Sequence, residues 1–267
     1  MDHVASPATA ASSHLGTADP VGGAASPRAA IKLGPIQAAS GVLFACFLTL
    51  HLLTASSGLL GGARYDATLD VLRRLYRPHI AVEVSLIGGS ALVHIACAIA
   101  QMRRRRQIIA LKGAWWMRAH RLAGYFLLLV FFGHVFATRI APTLATGPTA
   151  TGKADFAFLA FAALSVPWFF WPYYLLLGLA GATHLGLGLH LASRILRRKT
   201  ASASTAAVSA DRPNPAIGGA PSRLRLAVVL AFAIVVAGGV FRILWLASDA
   251  SRDRFPEYKA LADTLRK

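Results

Sequence analysis

RLAGYFLLLVFFGHVFATRIA, residues Arg121 to Ala141, is an apolar run with a histidine, His134, in its interior. A bilayer's hydrocarbon core takes roughly 20 apolar residues of helix to cross, and this run is long enough. Four other stretches meet the same length: about Ile36 to Leu60, His79 to Gln101, Pro172 to Leu196 and Leu224 to Ala247. The chain of 267 residues is 55% hydrophobic and only 15% charged, far more apolar than a soluble domain. The expected fold is an all-α integral membrane bundle of five transmembrane helices, which puts the two termini on opposite sides.

A net charge of +17 raises the question of nucleic acid, and the placement of that charge answers it. Arg28, Lys32, the loop from Arg103 to Arg121 and the loop from Arg194 to Arg225 hold sixteen Lys and Arg, while the two alternate loops hold six. By the positive-inside rule the N-terminus is then cytoplasmic and the C-terminus outside. Residues 1–30 are rich in Ala, Ser, Pro and Gly and are expected to stay disordered, as is a linker over about 200–222. The tail 249–267 is expected outside the membrane. Trp115, Trp116, Trp168, Trp171 and Trp245 fall at span ends and read as interfacial anchors. Cys46 and Cys97 lie inside spans and read as small apolar side chains. Neither a cysteine cluster nor a glycine-rich nucleotide fingerprint occurs, so any flavin or iron–sulfur centre has to come from another chain.

His51, His94, His134 and His184 each sit inside a different span, where a polar side chain is costly and marks a functional site. His51 lies 15 residues past Ile36 and His134 lies 13 past Arg121, depths that agree within about one helical turn. On the return spans His94 precedes Arg103 by nine residues and His184 precedes Arg194 by ten. The expected couples are therefore His51 with His134 on the outer side and His94 with His184 on the inner side. Two level pairs, each bridging two helices, are what two bis-histidine haems b require. Small residues on the same faces, Ser90, Ala91, Cys97 and Ala98 around His94 and Gly181 and Gly188 around His184, would leave room for a flat macrocycle. On this reading 31–199 is a four-helix haem-binding core and 223–248 a fifth helix outside it.

Depth alone leaves His190 open as an alternative to His184, although its flank of Leu187 and Ser193 is bulkier. His79 and His120 sit at expected span ends and read as solvated interfacial imidazoles; His3 and His14 belong to the tail. Glu83 is the one acidic residue well inside a span. Eleven residues before His94, it returns to within roughly 20° of the same helical face and lies about 16 Å along the axis, near the outer pair's depth. From there a carboxyl could exchange protons with a bound quinone, or simply hydrogen-bond to a neighbouring helix.

HRLAGYFLLLVFFGHVFATRIA, from His120 to Ala141, resembles the third helix of the di-haem cytochrome b anchor of succinate:quinone oxidoreductases (succinate dehydrogenases and fumarate reductases), the single-anchor type with five membrane helices. AVEVSLIGGSALVH, Ala81 to His94, is similar to that family's second helix, and THLGLGL places His184 four residues before a glycine as the family pattern does, favouring His184 over His190. FLTLHLL around His51 is a weaker match, and the resemblance covers about Gly41 to Arg198. It implies a respiratory-chain subunit of the bacterial-type cytoplasmic membrane that docks a flavoprotein and an iron–sulfur protein at its cytoplasmic face. Electrons would pass through the two haems to a quinone, menaquinone or ubiquinone. Glu83 then becomes the candidate catalytic proton carrier, and Arg121 and Arg139 are candidate partners of haem propionates, or else snorkelling cations that end a span. Two other readings stand beside this one: the cytochrome b subunit of a formate dehydrogenase or hydrogenase, and a transporter that moves metal ions or protons along membrane histidines.

Overall fold

In a computed structural model, which describes residues 33–76, 79, 81–104, 113–144, 153–204, 220–249, 252–253 and 255–265, every regular element is helical. The helices are α1 Leu33–Ser57, α2 Gly62–Tyr76, α3 Ser90–Arg104, α4 Trp115–Val135, α5 Phe156–Ser165, α6 Pro167–Ser204, α7 Arg223–Trp245 and α8 Phe255–Leu265. A π-helical stretch, Val82–Gly89, leads into α3, and a second, Phe136–Ile140, continues α4. Five helices are long and apolar enough to cross a membrane: Leu33–Leu60, Val82–Arg104, Trp115–Leu144, Pro167–Arg197 and Arg223–Ser248. These correspond to the five expected spans, the second shifted by three residues and the others extended at one or both ends, and they fit a multi-pass membrane protein. Residues 1–30, with His3 and His14, and most of the 200–222 linker lie outside the described residues, although α6 runs on to Ser204.

Successive spans alternate in direction. Gln37, early in α1, meets Gln101, late in α3, while His120, early in α4, lies against Gly188, late in α6. The end at which α1 begins is called the near end below, and the other the far end. Hydroxyls inside the spans find partners within their own helix: Thr49 Oγ1 donates to the Ala45 carbonyl at 2.7 Å, Thr54 to Leu50 at 3.1 Å and Thr138 to His134 at 2.7 Å. Bonding back in this way satisfies a polar group where water is absent. The core forms where α1, α6 and α7 meet, from Ala45, Leu52, Ala182, Leu185, Ala233 and Val236. Small residues there let backbones approach, the usual basis of helix association in lipid. The tightest approach is at Gly239 of α7, where an added Cβ would strike the backbone of Ala55 and Ser56.

At the far end stand three short helices, with α2 and α8 each packed against α5. These segments, which fall in the first and third loops and in the tail 249–267, are helical, and long-range polar bonds hold them. Arg73 of α2 is buried and donates through Nη2 to the Ala154 carbonyl at 2.6 Å. The Phe156 N–H at the start of α5 donates to Asp66 Oδ1 at 2.8 Å, and Asp155 caps the same helix by accepting from Phe158 N–H at 3.2 Å. Tyr258 of α8 donates its hydroxyl proton to Asp155 Oδ1 at 3.0 Å. Burial pushes the Asp66 carboxyl up from its ordinary pKa despite the Phe156 bond, and burial followed by the Asp66 charge pushes the Tyr65 phenol up as well.

Two outcomes are expected. Gly239→Ala should destabilise the bundle by about 1–3 kcal/mol, the range for overpacking. Gly34→Ala, with nothing within 4 Å of its Cβ, should change little when both are unfolded by heat. A raised native pKa means that ionised Asp66 costs stability, a cost that appears as pH rises through that native value. Asp66→Asn keeps an oxygen for Phe156 N–H, so its stability relative to wild type should be greater at pH 7 than below the ordinary aspartate pKa of about 3.9. An advantage that does not change with pH would count against a protonation effect.

Candidate functional site

The two expected histidine couples are brought together. His94 on α3 and His184 on α6 have ring centroids 6.1 Å apart with planes at 86°. His51 on α1 and His134 on α4 are 6.0 Å apart with planes at 70°. Backbone carbonyls fix the first pair: His94 Nδ1 lies 3.0 Å from the Gln37 oxygen and His184 Nδ1 lies 3.1 Å from the His120 oxygen. A carbonyl only accepts, so both Nδ1 atoms carry the proton and both Nε2 atoms keep a lone pair. In the second pair His134 Nδ1 makes a long 3.4 Å contact with the Tyr173 hydroxyl, and His51 stacks on Phe47 at 5.7 Å.

The room for the first pair comes from residues the sequence reading passed over. A Cβ on Gly41 would stand 2.7 Å from His94 Nδ1, and one on Gly124 would stand 2.9 Å from His184 Cε1. The glycines chosen from the sequence do other work. Gly181 makes way for Leu52, and Gly188 for His120. Gln37 reached no notice from sequence, yet its carbonyl holds His94 and its side chain pairs with Gln101.

His120 is a correction. Expected as a solvated imidazole at a span end, it stacks on His184 with centroids 4.2 Å apart and planes at 10°. The reason is that α4 begins at Trp115 and not at Arg121, which places His120 inside the helix and against α6. Trp116 is a second correction: it is 1% exposed, packed edge-on against His190 at 5.5 Å, whereas Trp115, Trp168 and Trp245 are exposed as anchors should be. Trp116 Nε1 and His120 Nδ1 are buried with no hydrogen-bond partner among the described residues. His190 turns away from His94 to meet Arg225 of α7, with Nη1 to Nδ1 at 3.1 Å, so His184 alone faces the pair. His79 is exposed, as expected.

Glu83 and Arg139, assigned separate roles from sequence, form one unit. Arg139 donates through Nε to Glu83 Oε1 and through Nη2 to Oε2 at 2.9 Å, a two-pronged ion pair whose side chains are 37% and 16% exposed respectively. Glu83 lies in the π-helical stretch Val82–Gly89 and Arg139 in the stretch Phe136–Ile140. A π turn closes on the fifth residue and rotates less per residue than an α turn, so counting eleven residues at 100° no longer places Glu83 on the His94 face. Arg139 is thus engaged with Glu83, five residues beyond His134, and Arg121 is half-buried beside His120.

The donor set fits a macrocycle better than a bare ion. Among the described residues no three His, Cys, Asp or Glu converge on one point, and a bare ion takes about three or four protein ligands. A macrocyclic iron asks the protein for two axial nitrogens. Nitrogens each about 2 Å from a shared metal put ring centroids roughly 6 Å apart, the separation seen in both pairs. Two buried polar atoms on α4 have no partner among the described residues: Trp116 Nε1, on a ring packed against His190, and Nδ1 of His120, whose ring stacks on His184.

The described residues form an all-helical fold, five of whose helices are long and apolar enough to cross a membrane, with two half-buried histidine pairs and a far-end carboxylate–guanidinium pair. Searches of protein-family models, curated proteins and solved structures find no match to this chain.

If Glu83 and Arg139 act as a unit, Glu83→Gln and Arg139→Gln should each destabilise the protein, and the double variant by clearly less than their sum. A coupling of at least about 1 kcal/mol, the upper end for exposed pairs, is the expected result of the double-mutant cycle. Additive losses would mean that the pair carries no energy.

Proposed function

We propose that this chain is the di-haem b, quinone-reactive membrane anchor of a succinate:quinone oxidoreductase, carrying electrons between a partner iron–sulfur subunit and membrane quinone. The observation that carries the proposal is the pair of imidazole couples 6.0 and 6.1 Å apart, the second with both Nδ1 protons tied to backbone carbonyls. His94 and His184 would hold one haem and His51 and His134 the other, and each haem when bound supplies one-electron chemistry.

The residues of the chain do the rest. Gln37 and His120 carbonyls orient the imidazoles and raise their basicity, as outer-shell partners of a ligand do. Apolar spans keep water from both pairs. Glu83 would hold a carboxylate at the far end, positioned by Arg139, that could take up a proton and pass it to a quinone being reduced. The flavoprotein and iron–sulfur subunits would dock at the near end, whose loops are the basic ones, with that end cytoplasmic. The transporter reading is less well supported, since the histidines stand in pairs with no third ligand among the described residues.

The test is a reduced-minus-oxidised absorption spectrum with haem stoichiometry. Two low-spin haems b per chain are expected. His94→Ala or His184→Ala should remove one, His51→Ala or His134→Ala the other, and His190→Ala neither. Purified protein without haem, or loss of the first haem in His190→Ala with retention in His184→Ala, overturns the assignment.

A further inference from the structure

A cleft of about 330 Å³ opens between α6 and α7 at the near end, and none of the histidine pairs uses it. Its inner wall is apolar, made by Gly186, Leu189 and Val229, while its mouth carries Arg197, Arg225 and His190. The depths of these groups differ in a telling way. Arg225, two residues into the fifth span, stands against His190, and Arg197 closes the fourth span about two helical turns beyond His190, so both cations lie at the near-end mouth of the cleft. Val229 lies one helical turn further in and packs against Gly186, where an added Cβ would stand 2.5 Å from a Val229 methyl, so the two form the floor of the cleft. The Arg225 guanidinium is fixed over the opening because its Nη1 donates to His190 Nδ1 at 3.1 Å, which occupies one of its five N–H donors. Among the described residues no Asp or Glu lines the cleft, so its described charge is cationic.

We propose that this cleft binds one phospholipid with an anionic, uncompensated phosphodiester headgroup, such as phosphatidylglycerol. The phosphate sits between Arg197 and Arg225, and an acyl chain lies along Gly186, Leu189 and Val229. Cations at the boundary and an apolar channel behind them match the two halves of such a molecule. Free phosphate would gain nothing from the inner wall, and a neutral amphiphile nothing from the arginines. The proposal rests on the membrane reading of the helices and does not depend on haem.

Native mass spectrometry of the full chain, purified with any subunits it brings, reads lipid retention directly. Wild type loaded with phosphatidylglycerol should keep one lipid more tightly than wild type loaded with phosphatidylcholine. The double variant Arg197→Gln, Arg225→Gln should bind it about tenfold more weakly or worse, the size expected for two cations near the surface. Arg197→Lys with Arg225→Lys should keep most of the affinity, and Arg103→Gln with Arg104→Gln, at another near-end terminus, should keep all of it. Should the glutamine variant fail to fold, Val229→Phe, which fills the cleft and leaves both arginines, must lose the lipid as well. Equal retention of phosphatidylcholine, undiminished binding in the glutamine or Val229→Phe variants, or an equal loss in the Arg103/Arg104 control overturns the proposal. Displacement by excess inorganic phosphate would reduce the cleft to a simple anion site and overturn it too.

Discussion

A protonated ring nitrogen inside a bilayer has no water to bond to, and the arrangement of this bundle follows from meeting that need. An unsatisfied polar group in hydrocarbon costs several kcal/mol. His94 and His184 meet the requirement with backbone carbonyls of Gln37 and His120, and each bond crosses from one helix to another. The same bonds therefore do two jobs. They set which imidazole nitrogen remains free, and they set the register of α1 against α3 and of α4 against α6. Gly41 and Gly124 are required because a carbonyl reaches an imidazole on the next helix only when the backbones lie close.

The far end is built on a different principle. Its helices α2, α5 and α8 are short, and each leans on polar bonds made far along the chain: Arg73 to Ala154, Asp66 to Phe156, Asp155 to Tyr258. The start of α5, whose first N–H groups have no partner inside the helix, is satisfied by Asp66, which accepts from Phe156 N–H, and by Asp155, which accepts from Phe158 N–H. Aromatic rings close the gaps, with Phe161 against Phe255 at 5.6 Å and Phe158 against Tyr258 at 5.3 Å.

Depth was legible in the sequence and direction around the helix was not. The pairing of His51 with His134 and of His94 with His184 needed only residues counted from the charged ends. A rise of about 1.5 Å per residue tolerates an error of several residues before the pairs fall out of level. Rotation is less forgiving, since one residue is about 100° in an α-helix and less in a π-helix. Glu83 was misplaced on exactly that count. The charged residues also misled about helix ends. Arg121 reads as a boundary, yet α4 begins six residues earlier, and so His120 and Trp116 could not be seen as interior groups. The helices at the far end were missed for another reason: a segment such as Gly62–Tyr76 becomes helical against its neighbours, and those neighbours are distant in sequence.

The two π-helical stretches tie these strands of argument together. A π turn is rare, and it costs regular hydrogen bonding that lipid does not replace. Here two of them occur at one end, on adjacent spans, and the carboxylate of one is held by the guanidinium of the other. A two-pronged pair fixes both position and orientation, which a single contact would not. Removing water strengthens the attraction, but it also makes either charge expensive alone. The irregular turns and the ion pair are thus mutually dependent: the turns bring Glu83 and Arg139 into reach, and the pair holds the turns in place.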